Sequence, residues 1–503
     1  MNLSAIDIVI IVVYLALSFF SGVFVKKYIR NISDFLIADR SMGLNLGMAS
    51  LLSSEIGIIT FMYMAEAGYR GGFVALMTGF PFFVILILLG KTGFIVRPLL
   101  EMKITTIPEL FERTFGHGVR FYAGLLMAIG GIINFVVFPG VEAKFINVLT
   151  GIPQSSLLLT MIVLLTLVLI YTAFGGMVSV IFTNYVQFIL LSLGMVLITV
   201  LGTVKIGWPN IVRAVNDNYG AAGTNPFAPG SQFGWSYLVW QTLNVLCVAI
   251  APYMAMRLFS SKDSRTGTQI LTWSSVMFLG RVFIPVFWGI LALAFLPAKP
   301  DDPLQALPLM IAGLIPKGLL GIVVAAMLAA SMSTYASYLL SWSAIISQDI
   351  IGVAVKRITG RTLASRKQLV VSRLTMAAII VFIIWWSFFY RSEEMLLFYL
   401  MLAANLFLPG TLIAAFFGLY GKKTSWGLLR ARTLGAYLAF TFGAFPTVWF
   451  FLPSHPPAGK LGALSYAAAL VGMILGSVLQ NIKSGHNTHL PYFPGRSGGR
   501  SGT

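Results

Sequence analysis

The chain is poor in most of what catalysis and redox chemistry draw on. Among 503 residues there is one cysteine, Cys247, which excludes an internal disulfide. The four histidines, His117, His455, His486 and His489, fall in loops or the tail and form no Cys/His cluster suited to a catalytic metal. Charged residues make up only 10% and apolar ones 58%, which rules out an ordinary soluble globule. The longest polar insertions, residues 101–118, 207–234 and 297–317, are too short for an independent core. A phosphate loop is missing as well. Gly90-Lys91-Thr92 imitates its end, but Ile85 stands where glycine is needed and the stretch is apolar. An enzyme is therefore not expected.

What is abundant is apolar sequence in runs of roughly 20 residues, each long enough to cross a bilayer as a helix. Thirteen are expected: about 5–25, 44–69, 72–96, 119–147, 155–174, 177–204, 233–256, 269–296, 318–347, 369–390, 395–419, 432–452 and 461–482. None alternates polar with apolar residues as a barrel strand would. The net charge of +18 follows this layout. Basic residues crowd alternate loops: Lys26, Lys27, Arg30 and Arg40; Arg97, Lys103, Arg113 and Arg120; Arg257, Lys262 and Arg265. Lys356, Arg357, Arg361, Arg366, Lys367 and Arg373 continue the series, then Lys422, Lys423, Arg430 and Arg432, then Lys483, Arg496 and Arg500. By the positive-inside rule the N-terminus is expected outside and the C-terminus in the cytoplasm of a cell membrane. The charge thus reports topology and not a nucleic-acid partner. No cleavable signal peptide is expected, because no basic residue precedes the first run. The stretch from 484 to 503, basic and rich in Gly and Ser, is expected to be a flexible cytoplasmic tail outside the transmembrane domain of 1–483.

Polar residues stranded in apolar runs are costly and therefore presumptively functional. In the run 325–351, Ser333, Ser337 and Ser341 recur at i, i+4 and i+8 and share one helix face, flanked by Ala330 and Thr334. Hydroxyls, and carbonyls left approachable by small side chains, are hard ligands suited to Na⁺. Tight helix packing is the plain alternative. In the second run, Ser53-Ser54-Glu55-Ile56-Gly57 reads as a helix break, with Glu55 either functional or a structural ion-pair partner. In the seventh, Ala251-Pro252 reads as another interruption, two turns after Asn244, with Val248–Pro252 expected to be non-helical. Paired broken helices point to a midplane transport site between inverted repeats, here spans two to six (44–204) and seven to eleven (233–419). Helices 5–25, 432–452 and 461–482 would be peripheral.

Three motifs carry a family resemblance. Tyr171-Thr172-Ala173-Phe174-Gly175-Gly176 with Thr183-Asn184-Tyr185-Val186-Gln187, Thr105-Thr106-Ile107-Pro108-Glu109-Leu110 with Arg113, and Leu328–Thr334 with Gln348-Asp349-Ile350 together resemble the sodium–solute symporters. The resemblance implies an all-α, LeuT-like bundle performing sodium-coupled uptake of a small solute by alternating access. It also implies a sodium ion held by the carbonyls of Ala49, Leu52 and Ala330 and the hydroxyls of Ser333 and Thr334. Members with an additional sodium have aspartate where this chain has Asn184 and a hydroxyl where it has Ala336, so a single sodium is expected. Ser54, Glu55, Asn244 and Arg281 are the candidate solute contacts. Arg281, deep in an apolar run, takes the place of a solute-facing lysine in sugar-transporting relatives. A charge there costs about 2.5–3.5 kcal/mol even on the lenient insertion scale, so it needs a partner. Either Glu55 or a solute carboxylate would serve. Ile56 and Ala251 replace polar residues of sugar sites, which favours a carboxylate-bearing anion or zwitterion over a sugar. The alternatives are a proton-coupled symporter using Glu55, or a transporter-like channel or sensor. A continuous polar stripe and an appended signalling domain, which these last two would want, are not evident in the sequence.

Overall fold

The computed structural model describes residues 3–25, 31–387, 395–421, 430–452 and 454–483. Expectations about 484–503, and about the charges at positions 26, 27, 30, 422, 423, 496 and 500, lie outside the described residues. Within them the regular secondary structure is helical, apart from one parallel bridge between Met42 and Ser261. The main helices are α1 (Ala5–Val25), α2 (Leu44–Glu55), α3 (Ile58–Gly71), α4 (Gly79–Thr92), α5 (His117–Phe135), α6 (Phe138–Thr150), α7 (Leu157–Ile206) and α8 (Trp235–Leu246). They continue as α9 (Pro252–Phe259), α10 (Ser264–Phe295), α11 (Leu320–Ala344), α12 (Ser365–Ser387), α13 (Leu396–Asn405), α14 (Leu408–Tyr420), α15 (Thr433–Phe450) and α16 (Ala458–Lys483).

Helix α11 is the axis of the bundle. Its apolar window is 94% buried inside the protein, against 33% for α12, whose other side is apolar and exposed as a lipid-facing helix would be. Small residues make this central position possible, since Ala325, Ala326, Ala329, Ala330 and Ser333 let α7, α2 and α1 approach closely. Helix α7 runs for 50 residues through the two expected spans 155–174 and 177–204, turning at Gly176 with φ 49° and ψ −150°. A Cβ at Gly176 would lie 2.6 Å from the Phe35 carbonyl oxygen, so both the backbone angle and the space require glycine.

Eight helices of the described residues are long and apolar enough to cross a membrane alone, or nine if a pair bent by 42°, α13 and α14, counts as one span. That measure does not reach the expected thirteen, because some spans are cut into short pieces and others run on into one another, as where Ile58–Thr92 joins parts of the expected 44–69 and 72–96. The bend before α14 had no counterpart in the expected elements. It falls at Leu406-Phe407, just before Pro409 in the first turn of α14.

Both expected interruptions are present, one of them shorter than expected. Between α8 and α9 the chain makes a 3-10 turn at Val248–Ile250, then extends at Ala251, and Pro252 opens the next helix. Within the expected break Ser53–Gly57, the stretch Ser53–Glu55 continues α2, and the chain leaves the helix only at Ile56 and Gly57. The serines are accommodated inside α2 because their hydroxyls find acceptors on its own carbonyls, Ser53 Oγ donating to Ala49 O at 2.9 Å and Ser54 Oγ to Leu51 O at 2.8 Å. The break needs Gly57 for room, since a Cβ there would stand 2.6 Å from Thr334 Oγ1.

Candidate ion and solute site

The break between α2 and α3 leaves backbone groups that no helix satisfies. At the end of α2, the Glu55 carbonyl accepts from Arg281 Nε at 2.9 Å and from Thr60 Oγ1 at 2.9 Å. At the start of α3, the Ile59 amide reaches the Glu142 carboxylate of α6 at 3.4 Å. An arginine therefore sits at the negative end of one half-helix and a carboxyl group at the positive end of the other. Glu142 is fully buried and also accepts a short hydrogen bond from Ser331 Oγ of α11. The sequence reading passed over Glu142, although an acid stranded in the 119–147 run is the signal that singled out Glu55.

The same break faces the hydroxyl side of α11. Ser333 Oγ donates to the Ser53 carbonyl at 2.6 Å and to Ala330 O at 2.8 Å, and Thr334 Oγ1 donates to Ala330 O at 3.1 Å. Ala49, Leu52, Ala330, Ser333 and Thr334 are all buried, the first two on the last turns of α2. The two elements meet where Ser333 reaches the Ser53 carbonyl, and the oxygens expected to hold the ion are all neutral and hard. That donor set suits a singly charged hard cation better than a transition metal. Among the described residues no group of three or more His, Cys, Asp or Glu side chains could hold a metal. The Ser53 carbonyl, absent from the expected ligands, is the one nearest to Ser333.

Further along α11, Ser337 Oγ donates to Ser333 O at 2.7 Å and receives a short hydrogen bond from the Arg257 guanidinium. Arg257 was assigned to a basic loop. The structure corrects this: it is fully buried in α9, with its other terminal nitrogen 3.0 Å from Met177 Sδ. Its apolar neighbours Met254, Ala255, Met256, Leu258 and Phe259 were the available hint. Asn184 on α7 is also fully buried, its amide nitrogen 3.4 Å from Ser50 O and Ser50 Oγ. Ala336 lies buried on α11 with no oxygen to offer.

On the far side of the α2–α3 break, a cavity of about 140 Å³ has Ser54, Glu55, Asn244 and Arg281 on its wall. All four candidate solute residues therefore line one space, as does Thr334 from the presumptive ion site. Arg281 comes from α10, one turn before Pro285. Its guanidinium pairs with the Glu55 carboxylate at 3.1 Å and donates to Tyr63 Oη at 3.2 Å. Phe82 and Phe278 flank it, with ring centroids 5.3 and 5.4 Å from Cζ. Of the two partners open to Arg281 in the sequence, Glu55 is in place. Asn244 turns its amide nitrogen back to Trp240 O at 3.1 Å, and Ser54 bonds within its own helix. The remaining wall is largely aromatic and aliphatic, with Tyr253 and Tyr338 stacked at 4.5 Å beside the pair.

Two of the motif segments that carried the resemblance, Thr105–Leu110 and Gln348–Ile350, meet at one end of α11. There the helix continues as a π-helical turn, Ile345–Ile351. Its buried Asp349 accepts from Thr106 Oγ1 at 3.0 Å and pairs with Arg120 at 2.7 Å, which locks the loop before Ile107 against the Gln348-Asp349-Ile350 motif. The Gln348–Ile350 motif thus holds a loop and is not part of the cavity.

Comparison with known proteins adds the following. The profile of the sodium:solute symporter family matches residues 35–435. The sodium/glucose cotransporter 4 of Danio rerio is 26% identical over 421 residues, covering 74% of this chain and 60% of that protein. The sodium/myo-inositol cotransporter of Mus musculus is 25% identical over 425 residues, 75% of this chain and 57% of that one. The chain thus spans about 60% of the length of such curated relatives. Among solved structures, a Na⁺-coupled sialic acid symporter in a substrate-bound, outward-open state superposes with a TM-score of 0.79 at 18% identity, covering 95% of this chain and 98% of the other. A nucleobase-cation-symport-1 family transporter gives 0.54 at 14% identity, with 89% and 95% covered. These likenesses show the fold, that of LeuT-like transporters.

Proposed function

The chain belongs to the sodium:solute symporter family, and from that premise we propose that it couples the inward movement of one Na⁺ to uptake of a small carboxylate-bearing solute. The observation that carries the reading is the shared wall. Thr334 stands between the hydroxyl face of α11 and the cavity that Glu55 and Arg281 line. A cation bound by Ala49, Leu52, Ala330, Ser333 and Thr334 would tie α2 to α11 and fix the break that forms one side of the solute cavity. By linkage it then raises solute affinity, and solute raises sodium affinity by the same factor. The solute is proposed to meet Ser54, Glu55, Asn244 and Arg281.

A single sodium is favoured by three side chains. Asn184 supplies no charge and Ala336 no hydroxyl, while Arg257 places a fixed cation on Ser337. The proposed architecture has inverted repeats over 44–204 and 233–419, with thirteen spans in a cell membrane, the N-terminus outside and the C-terminus in the cytoplasm. The two helix breaks, one in each proposed half, support it. The relatives named for glucose and myo-inositol suggest a polyol as the second reading. Against it stand the charged pair at the centre of the cavity and the apolar side chains Ile56 and Ala251.

The test is uptake into proteoliposomes under an inward Na⁺ gradient, with carboxylate solutes competing against glucose and myo-inositol. Sodium-driven uptake that acids inhibit and both polyols leave alone is expected. Inhibition by the polyols alone would establish the second reading. Uptake that follows pH without any need for Na⁺ would instead point to proton coupling through Glu55.

A further inference from the structure

The proposed solute still has two chemical forms, an anion or a zwitterion, and the ion pair in the cavity distinguishes them. Arg281 and Glu55 are 94% and 91% buried, and each retains one buried atom with no hydrogen-bond partner among the described residues: Nη1 of Arg281 and Oε1 of Glu55. No other buried side-chain atom of the cavity wall is in that condition. The other groups of the pair are committed, since Nε holds the Glu55 carbonyl, and Nη2 holds Glu55 Oε2 and Tyr63 Oη. Buried polar atoms without partners cost about 1–3 kcal/mol each, more when charged, and a native site that keeps two of opposite sign needs an explanation.

We infer that the site takes a small zwitterion, its carboxylate completing Arg281 Nη1 and its ammonium completing Glu55 Oε1. This rests on the carboxylate-solute reading above and narrows it. The charge arithmetic is direct. The Arg281–Glu55 pair is neutral, so a zwitterion enters an apolar cavity without adding net charge and satisfies both open atoms. A monoanion brings a net charge of −1 to the same cavity, reaches only Nη1, and lies beside a carboxylate oxygen that repels it. A monocation has the mirror problem at Arg281. A polyol can hydrogen-bond to both atoms but leaves the charges uncompensated. Two side-chain amides on the wall each spend one N–H on a backbone carbonyl, Asn244 on Trp240 O and Asn134 on Leu400 O at 2.8 Å, which leaves fewer donors to grip several hydroxyls. The aromatic wall of Tyr63, Phe82, Tyr253 and Tyr338 also suits the partly desolvated ammonium.

The experiment is a binding panel on the purified full-length protein, by thermal shift or calorimetry, with and without Na⁺. The zwitterionic probes are glycine, L-alanine, L-proline, β-alanine, γ-aminobutyrate and glycine betaine. Matched probes that lack one charge are propionate and propylamine, with myo-inositol as the polyol. At least one zwitterion should bind in a sodium-dependent way, at least tenfold tighter than propionate and propylamine. Glu55→Gln should reduce that preference over propionate to less than threefold. Propionate binding as tightly as every zwitterion would overturn the inference while leaving sodium-coupled carboxylate transport intact. Binding of myo-inositol alone would overturn both. A panel in which no zwitterion binds would also overturn the inference. If Glu55→Gln does not fold, the wild-type comparison of the six zwitterions with propionate and propylamine decides by itself.

Discussion

Replacing Arg281 by glutamine tests the site at its most exposed point of logic. The substitution leaves a polar side chain but shortens it, cuts five N–H donors to two and removes the charge. It deletes the contact to Glu55 Oε2 at 3.1 Å, the cap on the Glu55 carbonyl at 2.9 Å and the bond to Tyr63. What remains is a 91%-buried carboxylate beside a frayed helix end. Breaking a buried pair from one side costs about 3–5 kcal/mol, because the surviving charge is left uncompensated. Arg281→Gln should therefore melt several degrees below wild type in detergent and yield less monodisperse protein. Adding Glu55→Gln removes the stranded charge and puts two amides face to face. The double variant should recover most of the loss, an interaction energy of about 2–3 kcal/mol, at the upper end for residues in contact. It should still bind no carboxylate solute. Melting curves of the four proteins in one mutant cycle, with uptake measured in parallel, supply the numbers. If Arg281→Gln alone is as stable as wild type and transports fully, Arg281 is neither the partner of Glu55 nor a solute contact, and the argument fails. A folded single variant that merely loses solute would keep the solute role and refute the structural one.

The other predictions concern the ion. Ser333→Ala and Thr334→Ala each remove an oxygen the cation cannot replace without rebuilding its shell. Each should raise the Na⁺ concentration for half-maximal uptake by about tenfold or more, equivalent to about 1.4 kcal/mol, and unchanged sodium dependence in both would eliminate the site. Gly57→Ala sets a methyl group 2.6 Å from where Thr334 Oγ1 stands. It should weaken sodium binding even though it touches no ligand carbonyl, and equilibrium ²²Na⁺ binding equal to wild type would disprove the proposed closeness of the break to the ion. The sodium Hill coefficient of wild-type uptake should be one, and a value clearly above one would contradict the single-ion proposal. Asn184→Asp, which restores a carboxylate, is the variant in which a second ion could appear, read as a steeper sodium dependence.

The hydroxyl face of α11 was legible because helical spacing alone brings positions four apart onto one side, whatever the rest of the chain does. The break at Ala251-Pro252 was legible for a similar reason, since proline removes a backbone donor wherever it stands. The first break fell at the far end of the segment expected for it. Two serines close to a glycine read as weak helix, yet α2 accommodates Ser53 and Ser54, whose hydroxyls find its own carbonyls, and Gly57 is selected by Thr334, which is 277 residues away in sequence. Glu142 and Arg257 were overlooked on different grounds. One sits in an apolar run whose neighbour Lys144 makes it resemble a loop edge, and the other follows a break and was counted with the basic loop beyond it.

Composition and periodicity by themselves determined that this chain is a multi-span helical membrane protein with interrupted helices and a hydroxyl-lined centre. Those properties follow from transfer free energies and helix geometry, which act residue by residue. Only the tertiary structure decided which charges meet. That Arg281 caps the Glu55 carbonyl and pairs with its carboxylate, that Glu142 sits at the head of α3, and that Arg257 occupies Ser337 all depend on distances between segments remote in sequence. In an apolar interior such distances decide the energy of every charge, and no local pattern encodes them.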